Sequence, residues 1–191
     1  MQIGGSSRLV GCKLSGVSES FKEMFARGYR ARAENQPVES RAIFIEAVRR
    51  AATEADPADL AESLCGLAQA ERDLENLPAA SHHYNNAARL YRQLDLPERL
   101  AYSLRHEADI LREMTRYADA EPLFLEAAGI YRGMGETANL ELANTLRGLA
   151  LLHEVVGKPD ASRAEWREAR ELYAKSNVDA GVAEADRKLR Q

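Results

Sequence analysis

The sequence predicts an all-α solenoid of about four helical hairpins closed by a C-terminal capping helix. Three observations predict it. A nine-residue phrase is written three times, as "LAESLCGLA" from Leu60, "LAYSLRHEA" from Leu100 and "LANTLRGLA" from Leu142. A second phrase follows each copy: "AASHHYNNAARLY" from Ala79, "DAEPLFLEAAGIY" from Asp119 and "ASRAEWREARELY" from Ala161. Both recur in steps of 40 and 42 residues, the signature of stacked supersecondary units. Within the phrases the apolar residues fall at i, i+3 and i+4, and strand alternation is absent.

The first hairpin is expected near 20–54. Ser20-x-x-Glu23 reads as a capping box and Pro37 opens the second helix. Met24, Gly28, Phe44 and Ala47 are a fainter copy, one period back, of the anchors that follow. The second hairpin is expected near 57–93. Asp56 supplies a capping carboxylate and Pro57 suits the first turn. Leu60, Leu64, Leu67, Ala68 and Leu74 make its apolar stripe, and Pro78 lies near the start of the partner helix. The third is expected near 97–133, with Pro122 about one turn into its second helix, tolerable at some cost in regularity. Gly133 and Gly135 mark the break after it. The fourth is expected near 137–175, carried by Leu142, Leu146, Leu149, Ala150 and Leu152 and divided at Gly157 and Pro159. "AGVAEADRKLR" then opens like a fifth unit but is more polar, as a solvent-facing cap near 179–190 should be. Residues 18–191 make one solenoid domain. Residues 1–17 fit no unit and are expected to form a mobile N-terminal arm, or an apolar strip (Leu9, Val10, Leu14, Val17) against the array.

These residues resemble the tetratricopeptide repeat (TPR), W-x2-L-G-x2-Y…A-x3-F…P. Its first half is matched by Leu64-x2-Leu67-Ala68, Leu104-x2-Glu107-Ala108 and Leu146-x2-Leu149-Ala150. Its second half is matched by Ser40-x3-Phe44, Ala80-x3-Tyr84, Ala120-x3-Phe124 and Ser162-x3-Trp166. The period exceeds the usual 34 residues, which is similar to the long-repeat, kinesin-light-chain-like subclass. Two departures stand out. Ala31, Glu71, Leu111 and His153 occupy the place of the usual aromatic, and Arg27 and Glu107 occupy a normally apolar one. The resemblance implies a right-handed superhelix whose first helices line a concave groove, and a role in binding proteins or peptides.

Composition narrows the classes. A balance of 26 basic against 30 acidic residues argues against a dedicated nucleic-acid binder, which needs a basic excess. No apolar run approaches the roughly 20 residues that span a bilayer, so no membrane partner is expected. Two cysteines without a C-x-x-C pair suggest neither a zinc site nor a disulfide framework; a cytoplasmic location is the simplest reading. No cofactor motif, metal site or catalytic constellation is visible. "HEVVG" begins like a zinc-protease motif but ends in Gly157, and His82 and His83 point about 100° apart on one helix. The chain is therefore expected not to be an enzyme.

With Phe21, Ala61, Ala101 and Ala143 as position one, positions 2, 5, 6, 9 and 12 should face the groove. The candidate peptide-binding residues are Gly66, Gln69 and Arg72; Tyr102, Arg105, His106, Asp109 and Arg112; and Asn144, Arg147 and Gly148. Arg105 and Arg147 occupy matching places, and Arg32, Arg72 and Arg112 form a second ladder. Guanidinium forks match carboxylates, which points to an acidic peptide or a free C-terminal carboxylate. The competing reading is local pairing, Arg105 and Arg112 with Asp109. Gly66 and Gly148 each cost a helix roughly 0.5–1 kcal/mol, a cost offset where a ligand backbone comes close. Cys65 is expected to be a buried filler and Trp166 core. The expected function is a protein-interaction scaffold. The alternative is a structural homo-oligomerisation module, a homodimer through the solenoid ends or the N-terminal arm; a small-ligand binder or enzyme ranks below both.

Overall fold

A computed structural model describes residues 19–54 and 56–191; the expected N-terminal arm lies outside them. Every described element is helical. The helices are α1 (Phe21–Ala33), α2 (Pro37–Glu54), α3 (Pro57–Asp73), α4 (Leu77–Gln93), α5 (Pro97–Glu113), α6 (Tyr117–Gly133), α7 (Asn139–Val155), α8 (Pro159–Lys175) and α9 (Asp179–Leu189), with a short 3-10 helix at Gly135–Ala138. Each helix packs on the next, and among the first helices of the hairpins α1 also touches α3 and α5 touches α7.

Helix ends follow from local chemistry. The Ser20 hydroxyl accepts from the Glu23 N–H at 3.3 Å while the Glu23 carboxylate accepts from the Ser20 N–H at 2.8 Å. Asp56 caps α3 through the amides of Ala58 and Asp59. Prolines at the first position of α2, α3, α5 and α8 have no N–H to leave unsatisfied. Pro122 sits inside α6 without ending it.

One turn joins most of the helices. After α1, the Asn35 N–H donates to the Arg32 carbonyl and the Gln36 N–H to the Ala31 carbonyl. This double closure is the Schellman motif, with its third residue in the left-handed region. Asn35, Glu75, Asp95, Thr115 and Asn177 (φ between 53° and 61°), and Gly157 at 75°, take that place after α1, α3, α4, α5, α8 and α7. The same turn serves within hairpins and between them. α3 to α8 are each 17 residues long. Three residues separate α4 from α5 but five separate α6 from α7, and those two extra residues make the step of 42. Thr115 is the strained member, because a β-branched residue fits φ 59° poorly. Thr115→Gly is expected to raise stability by about 0.5–1 kcal/mol, strain relief exceeding the entropy glycine adds to the unfolded chain. Urea denaturation checks this: the midpoint moves up, whereas an unchanged or lower midpoint would mean the turn is unstrained.

The core repeats with the sequence. Phe44, Tyr84, Phe124 and Trp166 are buried, as are the small residues Ala47, Ala87, Ala127 and Ala169 one turn on. Met24, Leu64, Leu104 and Leu146 are likewise buried at matching places in the first helices. One hairpin cannot cover its own apolar face, so the stack forms a continuous core. Of the positions that lack the usual aromatic, Ala31 and Leu111 are buried apolar residues and the other two carry polar links. Glu71 is buried and accepts from Arg41 Nε at 2.6 Å and Asn76 Nδ2 at 2.9 Å. His153 lies between Glu121 of α6 (3.0 Å) and Glu165 of α8 (2.9 Å).

Candidate functional site: the wall of first helices

Polar side chains tie the first helices side by side. Arg32 of α1 grips Asp73 of α3 and donates to Gln69 Oε1 at 2.6 Å. Gln69 Nε2 donates to the Tyr102 hydroxyl of α5 at 3.0 Å. Arg72 pairs with Glu113, repeating the Arg32–Asp73 pair one unit along. Arg105 donates to Glu141 of α7 at 3.1 Å, and Arg147 binds Glu184 of α9 through both carboxylate oxygens, at 2.6 and 2.9 Å. The expected arginine ladders are thus present, and every member holds a carboxylate of its own array. The Asp109 pairing also occurs, with Arg105 at 3.9 Å and Arg112 at 3.6 Å. Burial pushes the Asp109 carboxyl up, and the two guanidinium groups pull against it.

His106 lies at the centre of this wall. Its ring stacks on Tyr84 (centroids 5.4 Å apart) and meets the edge of Tyr102 at 4.3 Å. Its Nε2 lies 3.0 Å from Arg105 Nη2, which can only donate, so the imidazole accepts and is neutral. Burial, reinforced by Arg105, Arg72 and Arg32, pushes its pKa down to about 2. Its Nδ1 has no partner, nor have the Nε groups of Arg105 and Arg112, and all three are buried.

Gly66 and Gly148 have a packing reason independent of any ligand. A Cβ on Gly66 would lie 2.1 Å from the Phe44 ring, and one on Gly148 2.6 Å from the Phe124 ring. The aromatic of each preceding hairpin fills the space that a methyl group would need. In the unit between them Tyr84 stands before His106, and the two rings stack instead. Asn144 is also engaged, accepting from the Tyr173 hydroxyl at 2.9 Å. Of the sequence candidates, Gln69, Tyr102, Arg105, His106, Asp109 and Arg112 form one contiguous network; Arg72 pairs with Glu113 beside it, and Asn144, Arg147, Gly66 and Gly148 serve contacts at its margins.

Beside this network, toward the early turns of α3, α5 and α7, opens a cleft of about 380 Å³. Tyr29, Tyr91, Tyr102 and Tyr131 line it together with Glu62, Glu98 and Glu141. Sequence reasoning did not join these residues, because they come from six helices. The signal available was the in-register tyrosine that closes the second phrase, at Tyr91, Tyr131 and Tyr173. Cys65 also lines the cleft, 4% exposed and 3.4 Å from the Ser103 hydroxyl, and burial pushes its thiol up to about 11. It is a packing residue rather than a nucleophile. Trp166 is core, its Nε1–H satisfied by Glu154 at 2.7 Å. Among the described residues no group of three or more His, Cys, Asp or Glu is placed to hold a metal, and no helix is long and apolar enough to cross a membrane.

The fold is that of a TPR-like all-α solenoid. Comparison with protein-family models and with curated proteins gives no match. Solved structures do match. BtubC (BKLC) from P. vanneervenii superposes with a TM-score of 0.69 at 16% identity, over 87% of this chain and 78% of that one. Nearly identical kinesin-light-chain TPR-like repeats from Podosopora anserina superpose with a TM-score of 0.58 at 14% identity, over 89% of this chain and 93% of that one. A variant of those repeats gives a TM-score of 0.59 at 14% identity, over 89% and 92%.

Proposed function

We propose that the protein is a non-enzymatic interaction scaffold that holds a peptide segment of a partner protein along the concave wall of its first helices. Arrays of stacked helical hairpins generally serve protein interaction through such walls. The segment carries acidic side chains or a free C-terminal carboxylate. It crosses Gln69, Arg72, Tyr102, Arg105, His106 and Asp109, with Arg112 and Arg147 at the flanks.

One observation carries the reading: the mid-wall holds more donors than the array uses. Each guanidinium offers five N–H groups, and the internal carboxylates of Arg105 and Arg112 leave both Nε groups without an acceptor. A buried donor without a partner costs about 1–3 kcal/mol. A ligand carboxylate or peptide carbonyl that reorients either side chain recovers that cost. The internal pairs hold the forks in register until then, so little ordering remains for binding.

The test is affinity capture on the immobilised chain, comparing wild type with the Arg105→Glu/Arg147→Glu double variant and identifying bound proteins by mass spectrometry. Circular dichroism melting verifies that both stay folded. A specific partner should be captured by wild type and reduced at least ten-fold on the double variant. Equal capture by the folded variant would remove this wall as the binding surface.

A further inference from the structure

We infer that the tyrosine-lined cleft is a cation subsite that takes a lysine or arginine side chain of the bound peptide, a requirement separate from the acidic contacts at mid-wall. The cleft's chemistry is the reverse of the arginine network beside it. Glu62, Glu98 and Glu141 line it against a single cation, Arg99. Arg99 is committed to Glu62 at 2.5 Å, and Glu141 is shared with Arg105. Glu98 is exposed and has no ion pair among the described residues.

The walls are aromatic. Tyr29 and Tyr102 are half-buried and present ring surface, while Tyr91 and Tyr131 are buried at the floor. Burial holds all four phenols above their ordinary range, so they stay neutral hydroxyls. Such rings attract cations through the quadrupole of the π-face. Tyr102 already does so within the array, with the Arg105 guanidinium carbon 5.7 Å from its ring centroid. The second mark of a ligand site is at the floor. Tyr91 lines the cleft, and its hydroxyl is buried beside the Cys65 thiol with no donor to its oxygen. An ammonium or guanidinium N–H entering between the rings supplies the donor that this oxygen lacks, with Glu98 neutralising the charge at the rim. The volume of about 380 Å³ accommodates one long side chain rather than a folded ligand.

The inference rests on the concave-wall reading for the source of the side chain, but its test needs no partner, so the two fail separately. Acetyl-arginine amide and acetyl-lysine amide are titrated into the chain labelled with ring-13C tyrosine, with acetyl-norleucine amide as the uncharged control and tetramethylammonium as a free cation. At least one of the two cationic amides should give saturable shifts of the Tyr29, Tyr91, Tyr102 and Tyr131 resonances, assigned by Tyr→Phe substitution. Glu98→Gln, at an exposed position, should weaken that binding at least five-fold, and Tyr102→Leu should weaken it further while arginine and lysine amides keep their order. No saturable shift with either amide, or equal shifts with the norleucine control, overturns the cation subsite. Saturation by tetramethylammonium alone overturns the peptide side chain as its occupant.

Discussion

Gly66→Ala is expected to destabilise the array by about 1–2 kcal/mol, although alanine is the better helix former. Propensity alone would give a gain of roughly 0.5–1 kcal/mol at this helical position. Packing decides the sign. The new Cβ would stand 2.1 Å from one edge of the Phe44 ring. That ring cannot retreat, because a Cβ on Gly28 would meet its opposite edge at 2.7 Å: it lies between two glycines, and Phe44 is fully buried. Tyr29 and Phe25 close over it at centroid distances of 5.1 and 6.4 Å. Overpacking of this kind forces backbone or rotamer shifts at about 1–3 kcal/mol. Chemical denaturation of Gly66→Ala, Phe44→Leu and the double variant measures it. The double variant should be at least about 1 kcal/mol more stable than the sum of the two single changes, as touching residues couple. A stabilised Gly66→Ala would instead mean that the Phe44 ring shifts to admit the methyl group.

The repeat was legible in the sequence because each unit packs the same way. Buried aromatics, small residues and leucines must recur wherever the geometry recurs, and the step from 40 to 42 is the written trace of the 3-10 insertion before α7. The turns were not legible by glycine. Asn35, Glu75, Asp95, Thr115 and Asn177 enter the left-handed region without one, because the two closing hydrogen bonds hold them there. Gly66 and Gly148 were visible as anomalies, but their cause lies on another helix, in rings 22 and 24 residues earlier in the chain. The arginine ladders were visible too. Arg112 uses the nearby Asp109, but the other four have acidic partners 36 to 41 residues away, a separation that becomes a contact only when neighbouring first helices lie side by side. The tyrosine cleft was the least legible, since its four rings come from four different helices, and periodicity marks Tyr91 and Tyr131 as core and Tyr102 as a groove residue without joining them.

Replacing Glu107 by glutamine is expected to flatten the pH dependence of stability and to stabilise the array by about 2–3 kcal/mol at pH 8. Glu107 stands where Leu67 and Leu149 stand in the neighbouring units, and it is 6% exposed. Burial pushes its carboxyl up to about 7, against the opposing pull of the Asn85 amide at 3.1 Å and of Arg116. The unfolded chain releases that proton near the ordinary glutamate value, about 4.3. Between the two values the folded chain binds more protons than the unfolded chain, so stability falls as pH rises through about 4.5 to 7. Above that window the carboxylate is charged in both states and the full desolvation penalty remains. A shift of this size corresponds to about 3–4 kcal/mol at most. Glutamine never ionises and can still accept from Asn85. Wild type and Glu107→Gln should therefore be equally stable near pH 4.5 and diverge steadily up to pH 7–8. Glu107→Leu should follow the same divergence, since Asn85 is exposed and water replaces its lost partner. Urea midpoints measured across that range for the three proteins read the difference directly, and parallel curves would mean that Glu107 ionises in the folded array as easily as in solution.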